Sequence, residues 1–116
     1  MRKDRLLLED IRDTASVILQ YAPGERAGLD NGPPLQSHPL RHIQLIGEAA
    51  RRVSDALKQG HPEVLWQRMA AMRHVLVHDY FRVDLDQVWN AVTIHIPPLK
   101  PQIEAILDSL PPEDQA

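Results

Sequence analysis

Apolar positions recur along this chain at spacings of three and four. Leu7, Ile11, Ala15, Ile18 and Ala22 form one such stripe, with Arg5, Asp10, Arg12 and Asp13 pointing elsewhere, and predict a helix over 3–22. Pro23-Gly24 stops it. Residues 23–37, centred on Asn31-Gly32-Pro33-Pro34, read as a loop. Ser37 is placed to cap a second helix with Pro39 in its first turn. That helix covers 38–59 and buries Leu40, Ile43, Ile46, Ala50, Val53 and Leu57, with Gly60 and Pro62 punctuating its end.

A third helix over 62–78 is anchored by Leu65, Trp66, Met69, Met72 and Leu76, and the period breaks at Asp79 to Val83. Asp84 then reads as an N-cap, with Gln87 three residues on as in a capping box, and opens a fourth helix at Leu85. Pro97-Pro98 should kink or split that helix near Ile96, because proline removes a helical donor and clashes with the preceding turn. Leu99, Ile103, Ile106 and Leu110 continue its stripe past Pro101, and the tail at 111–116 is expected to fray. No stretch sustains a period of two, and no repeat is visible. The expectation is one all-α domain over 1–116, an antiparallel four-helix bundle with its last helix kinked or split.

Composition fits that picture. The chain has 116 residues, 43% hydrophobic, with five aromatics (two Trp, two Tyr and one Phe), a mix that suits packed helices better than sheets. A core this small is often completed by self-association, so a homodimer is expected. The formal net charge of -3 excludes a global basic footprint, and any nucleic-acid contact must come from a local patch. The absence of cysteine excludes a disulfide framework, a thiol nucleophile and a Cys-ligated zinc. Met1 to Leu8 lacks the apolar run of a signal peptide and nothing approaches a membrane span, so the default location is cytoplasmic.

The densest polar segment runs from Arg68 to Arg82. It holds Arg68, Arg73, Arg82, His74, His78 and Tyr80 against one carboxylate, Asp79, and suits an anion such as a phosphodiester. On an ideal helix Arg73 and His78 lie roughly 140° apart and Arg73 and Tyr80 within roughly 20°, so convergence needs a distorted last turn at His78. Composition alone favours a plainer reading, in which cationic side chains close a helix end and Tyr80 packs with its hydroxyl satisfied.

Other candidates are weaker. His38 with His42 has metal-like spacing but no third ligand nearby, and His74 with His78 has only Asp79 or a distant group, with the adjacent arginine opposing a cation; His61 and His95 are scattered, and no metal or cofactor is expected. There is no Gly-rich phosphate loop and no nucleophile elbow. Gly47 marks a close helix crossing with Glu48 partly buried beside it, while Trp66 and Trp89 read as core.

Arg73-His74-Val75-Leu76-Val77-His78-Asp79-Tyr80 resembles the Arg-x4-His-x-Tyr motif of HEPN proteins of the HepT-like toxin family. Ile46-Gly47-Glu48-Ala49-Ala50 is similar to that family's second-helix signature, Pro62 with Trp66 to its third-helix entry, and Val88-Trp89 to its fourth-helix marker. Arg-x4-His alone is common by chance; the set, in order and at these separations, is more specific. The family often has Asn where this chain has His74, another polar hydrogen-bonding group.

The resemblance implies a four-helix bundle, usually a homodimer whose two motifs face one cleft. It also implies metal-independent endoribonuclease activity and pairing with an MNT-type minimal nucleotidyltransferase antitoxin. Arg73 and His78 then carry the chemistry, with His74, Arg68 and Arg82 supporting or binding RNA. Tyr80 becomes the candidate for AMPylation by the partner. Two rivals stand beside this reading: a non-catalytic nucleotide-binding or adaptor subunit that docks a nucleotidyltransferase, and a purely structural helical dimer.

Overall fold

The computed structural model describes residues 2–21, 33–75, 77–79, 82–83 and 85–111, with side chains described for 3–20, 41–72 and 86–111. The chain is all-helical in its long elements. In order they are α1 (Arg2–Tyr21), α2 (Pro33–Arg52), α3 (Asp55–Gly60), α4 (Trp66–Val75), α5 (Leu85–Asn90), a π-helical turn (Ala91–His95) and α6 (Ile96–Ser109). Two short strands, β1 (Val77–Asp79) and β2 (Arg82–Val83), pair antiparallel between α4 and α5. Among the described residues no helix is long and apolar enough to cross a membrane.

The three-four stripes become one core. α1 packs against α2 and α6, and α2 packs against α4. Leu8, Ile11, Ile18, Ile43, Ile46, Ile96, Ile103 and Ile106 are fully buried between them. Gly47 is buried and Glu48 half-buried, as the sequence suggests. Trp66 is buried and Trp89 packs partly buried against the same cluster.

Three boundaries differ from expectation. α2 begins at Pro33, inside the stretch read as loop. Pro33 and Pro34 fall in the first turn, where the missing N–H would have had no helical acceptor, so these prolines are compatible with a helix start. Ser37 is therefore within the helix and not its cap.

The helix expected to continue to 59 stops at Arg52, and a short α3 begins after Ser54. The cause lies 50 residues away. Asp4, 3% exposed, accepts from the Ser54 backbone N–H at 2.9 Å and from its hydroxyl at 2.5 Å. The same hydroxyl accepts from Leu57 N–H and caps α3. The apolar stripe survives the break, because Val53 and Leu57 are both buried.

The third helix is shorter at both ends than 62–78. Trp66 opens it and donates its indole N–H to the His61 carbonyl at 2.9 Å. Val64 and Trp66 take the inward positions, which leaves Leu65, expected as an anchor, 56% exposed. At the other end α4 stops at Val75. Tyr80 and the proposed Asp84 cap lie outside the described residues.

Pro97 and Pro98 act as expected but through a widened turn. Neither can donate to the preceding turn, and each ring crowds the carbonyl four residues back. The chain answers with the π-helical turn Ala91–His95, in which Ile96 N–H reaches back to the Ala91 carbonyl. α6 then runs from Ile96 with the prolines in its first turn and Pro101 on an exposed position. Its C-terminus is tied to α1, because Arg5 Nη2 donates to the carbonyls of Leu110 at 3.3 Å and Pro111 at 2.9 Å.

Candidate functional site

The motif straddles an abrupt change of backbone. Arg73 and His74 lie in the closing turn of α4, and His78 lies in β1. Val77 pairs with Val83 and Asp79 with Arg82, so the register slips by one residue and His78 is the extra residue of a β-bulge. The angular arithmetic that put Arg73 and Tyr80 on one helix face required a helix continuing to residue 80. α4 ends at Val75, and that arithmetic no longer applies. The side chains of Arg73, His74, His78 and Arg82, and all of Tyr80, lie outside the described residues.

The turn before α4 fixes where the motif helix starts. His61 N–H donates to the Lys58 carbonyl at 3.2 Å, Val64 N–H to the His61 carbonyl at 3.3 Å, and Trp66 N–H to the Val64 carbonyl at 2.9 Å. Gln102 of α6 donates from Nε2 to the Glu63 carbonyl at 3.2 Å and ties the last helix to this turn.

Between that turn, α4 and the π-helical turn lies a cavity of about 230 Å³. Leu65, Met69, Met72, Ile94, Pro98 and Leu99 supply its apolar walls, and Arg68, His95, Glu63 and Gln102 its polar groups. Arg68 also borders a wider, shallower depression of about 540 Å³ that takes in Lys58, Gln59 and Asp55. Burial first, and the neighbouring Arg68 guanidinium second, push the His95 pKa below its ordinary value. His95 is therefore neutral near pH 7, with one ring nitrogen able to donate and the other to accept. Among the described residues no hydrogen bond or ion pair engages the side chain of Arg68 or His95.

Arg68 belongs to the polar segment that the sequence singles out, whereas His95 is one of its scattered histidines. The two are 27 residues apart on different helices, and no local spacing connects them. The sequence signal near His95 is Pro97-Pro98, since a proline pair marks a distorted helical turn just ahead of it. Among the described residues no group of three His, Asp or Glu side chains is placed to hold a metal ion. His42 is half-buried in α2.

No solved structure matches the chain. A protein of Thermococcus cleftensis named "Probable ribonuclease HepT" is 40% identical over 67 residues, which cover 58% of this chain and 61% of that protein. This match thus spans about three-fifths of that relative's length. A "Putative RNase" of Methanocaldococcus jannaschii is 26% identical over 106 residues, covering 90% of this chain and 97% of the relative. Another "Putative RNase", from Caldanaerobacter subterraneus subsp. tengcongensis, is 29% identical over 108 residues, 92% of this chain and 96% of the relative. The pattern described as "Ribonuclease HepT-like" matches residues 9–106 and so takes in α2 and α4 whole, most of α1 and α6, and the whole Arg68 to Arg82 segment. The chain belongs to the HepT-like ribonuclease family.

Proposed function

We propose that this protein is a metal-independent endoribonuclease, the toxin of a HEPN/MNT pair. The observation that carries the reading is the placement of Arg73 in the closing turn of α4 and His78 at the bulge beyond it, in a chain of this family. RNA brings its own nucleophile, the 2′-OH. His78 as a neutral imidazole takes that proton, and the oxygen attacks the adjacent phosphorus. Arg73 holds the phosphate by its planar fork and stabilises the negative charge that builds on it. The P–O5′ bond breaks, the leaving 5′-oxygen receives a proton from a second histidine, and a 2′,3′-cyclic phosphate remains. His74, or a motif histidine of a second copy, is the candidate acid, while Arg68 and Arg82 steer the strand.

Two copies with their motifs facing one cleft supply both acid and base, so the active species is a homodimer. An MNT-type nucleotidyltransferase controls it by attaching AMP to Tyr80. The added phosphodiester charge and bulky nucleoside occupy a site meant for an RNA phosphate.

RNA incubated with the purified protein in EDTA, with product ends identified, tests the chemistry. Cleavage leaving 2′,3′-cyclic phosphate and 5′-hydroxyl ends is expected. Activity abolished by EDTA and restored by a divalent ion would overturn the mechanism. Nucleotide binding with no cleavage under any condition would favour the adaptor reading.

A further inference from the structure

The cavity beside α4 has an unusual balance for a surface depression. Its walls are apolar, yet it holds a guanidinium and a half-buried neutral imidazole that no described residue engages. An apolar cavity with a few convergent polar groups is the usual form of a small-molecule site, and this one sets the exposed Arg68 guanidinium beside the half-buried His95 ring.

Size narrows the ligand. Drug-sized sites enclose roughly 300–1,000 Å³, and this cavity of about 230 Å³ lies below that range, so it suits one planar ring system rather than a whole nucleotide. Chemistry narrows it further. A heteroaromatic ring stacks on apolar side chains and on the plane of an arginine, while its edge offers both donors and acceptors. Arg68 presents a fork of donors, and neutral His95 presents a donor and an acceptor.

Position ties the cavity to the motif. Met72 lines it and directly precedes Arg73. Arg68 and Arg73 are separated along α4 by a rise of about 7.5 Å, with Arg73 turned about 100° from Met72 around the helix. The cavity and the motif arginine therefore lie on neighbouring turns of one helix.

We propose that the groove of Leu65, Arg68, Met72, His95 and Pro98 seats an unpaired nucleobase of the RNA, with Arg68 reading its edge and so setting the sequence preference of cleavage. The proposal rests on the ribonuclease reading above. A second copy of the chain is the poorer occupant, because covering Arg68 with an apolar face would strip water from a charge and return no partner. A base supplies that partner, best from the O6 and N7 acceptors of guanine.

Free nucleosides isolate the base site from the phosphate site, since they carry no phosphate. In NMR titrations, guanosine is expected to shift the His95 ring signals and the Met69 and Met72 methyl signals saturably and more strongly than uridine. Inorganic phosphate should leave those signals in place. The exposed Arg68 is replaced in a second arm as Arg68→Gln, with His95→Leu beside it. On a random-sequence RNA pool, either variant is expected to flatten the base preference next to the cut by about tenfold.

Absence of a saturable shift with all four nucleosides would overturn the proposal. So would His95 shifts that follow protein concentration alone, which would put a second copy in the groove. Cleavage with unchanged sequence preference in both variants would sink the base site and leave the ribonuclease reading intact. Nucleoside binding at His95 in a protein that cuts no RNA would do the reverse.

Discussion

At the scale of single residues, each of the candidate groups carries its own test. General acid–base catalysis contributes roughly 10²–10⁴-fold, so His78→Ala should lower cleavage at least a hundredfold, measured by single-turnover rates on a defined RNA. Arg73→Ala should do the same by removing charge stabilisation of about 3 kcal/mol, and Arg73→Lys should recover little because a point charge cannot replace a planar fork. Full activity in either alanine variant would exclude that residue. Tyr80→Phe separates covalent control from packing. Co-expression with an MNT-type nucleotidyltransferase should add AMP-sized mass to the peptide holding Tyr80 and silence the enzyme. If the Phe variant is silenced equally, Tyr80 is not the site.

His95 offers a pH-dependent readout at the same scale. Its folded pKa lies below the ordinary imidazole value, through burial and then Arg68. The unfolded chain therefore binds more protons as pH falls through the ordinary imidazole range. The stability present above that range is lost as pH falls toward the folded value. An NMR titration should place the His95 midpoint below that of the exposed histidine of an unfolded peptide, and Arg68→Ala should move it part of the way back. A midpoint at or above the ordinary value would contradict the described surroundings of His95.

At the scale of elements, the junction between α2 and α3 is held by a residue of α1. Asp4 takes both the N–H and the hydroxyl of Ser54, and the hydroxyl in turn caps α3 through Leu57 N–H. Losing a cap costs about 1 kcal/mol, so Ser54→Ala should lower stability by that amount. Asp4→Ala should cost about 2 kcal/mol, because a hydrogen-bonded charge is lost and Ser54 N–H is left without its acceptor. The two share a bond, so the double variant should lose less than the sum. In a chain of this length each kcal/mol moves Tm by roughly 4 °C, and thermal unfolding reads the cycle directly. Strict additivity would show that the clamp does not act as one unit. The π-helical turn is the other junction of this kind. Pro97 and Pro98 set it, and it brings His95 to the same cavity as Arg68.

At the scale of the whole molecule, the chain is elongated, 47 × 26 × 22 Å, and leaves Leu6, Leu19, Leu45, Leu65 and Ile94 exposed. A small chain that keeps this much large apolar surface in water gains by covering some of it. Light scattering at micromolar concentration should report twice the 13.2 kDa chain mass. A monomer that still cleaves RNA would refute the composite cleft, and a dimer whose interface lies far from Arg73 would refute it while leaving self-association in place.

The three-four stripes were legible in the sequence because burial of a helix face leaves a local, periodic record, and Ile11, Ile43, Ile46, Ile103 and Ile106 are buried as their spacing implies. The motif from Arg73 to Tyr80 was legible as composition and as a resemblance, and the family assignment bears the resemblance out. Whether its side chains act together stands as the proposal above. The break at Val53-Ser54 was not legible, since its cause is a carboxylate 50 residues upstream and a residue's own neighbours say nothing about such a partner. The start of α2 at Pro33 was not legible, because proline ends one helix and opens another with the same local chemistry. His78 falls by spacing on a helix that in the structure stops at Val75, where a bulged strand pairing replaces the helical bonds. Arg68 and His95 share a cavity only because a tie between Gln102 and the Glu63 carbonyl and a proline-widened turn bring two distant helices together. Local periodicity determined which faces are buried, and tertiary contacts alone decided where helices break and which polar groups meet, because those depend on partners far apart in the chain.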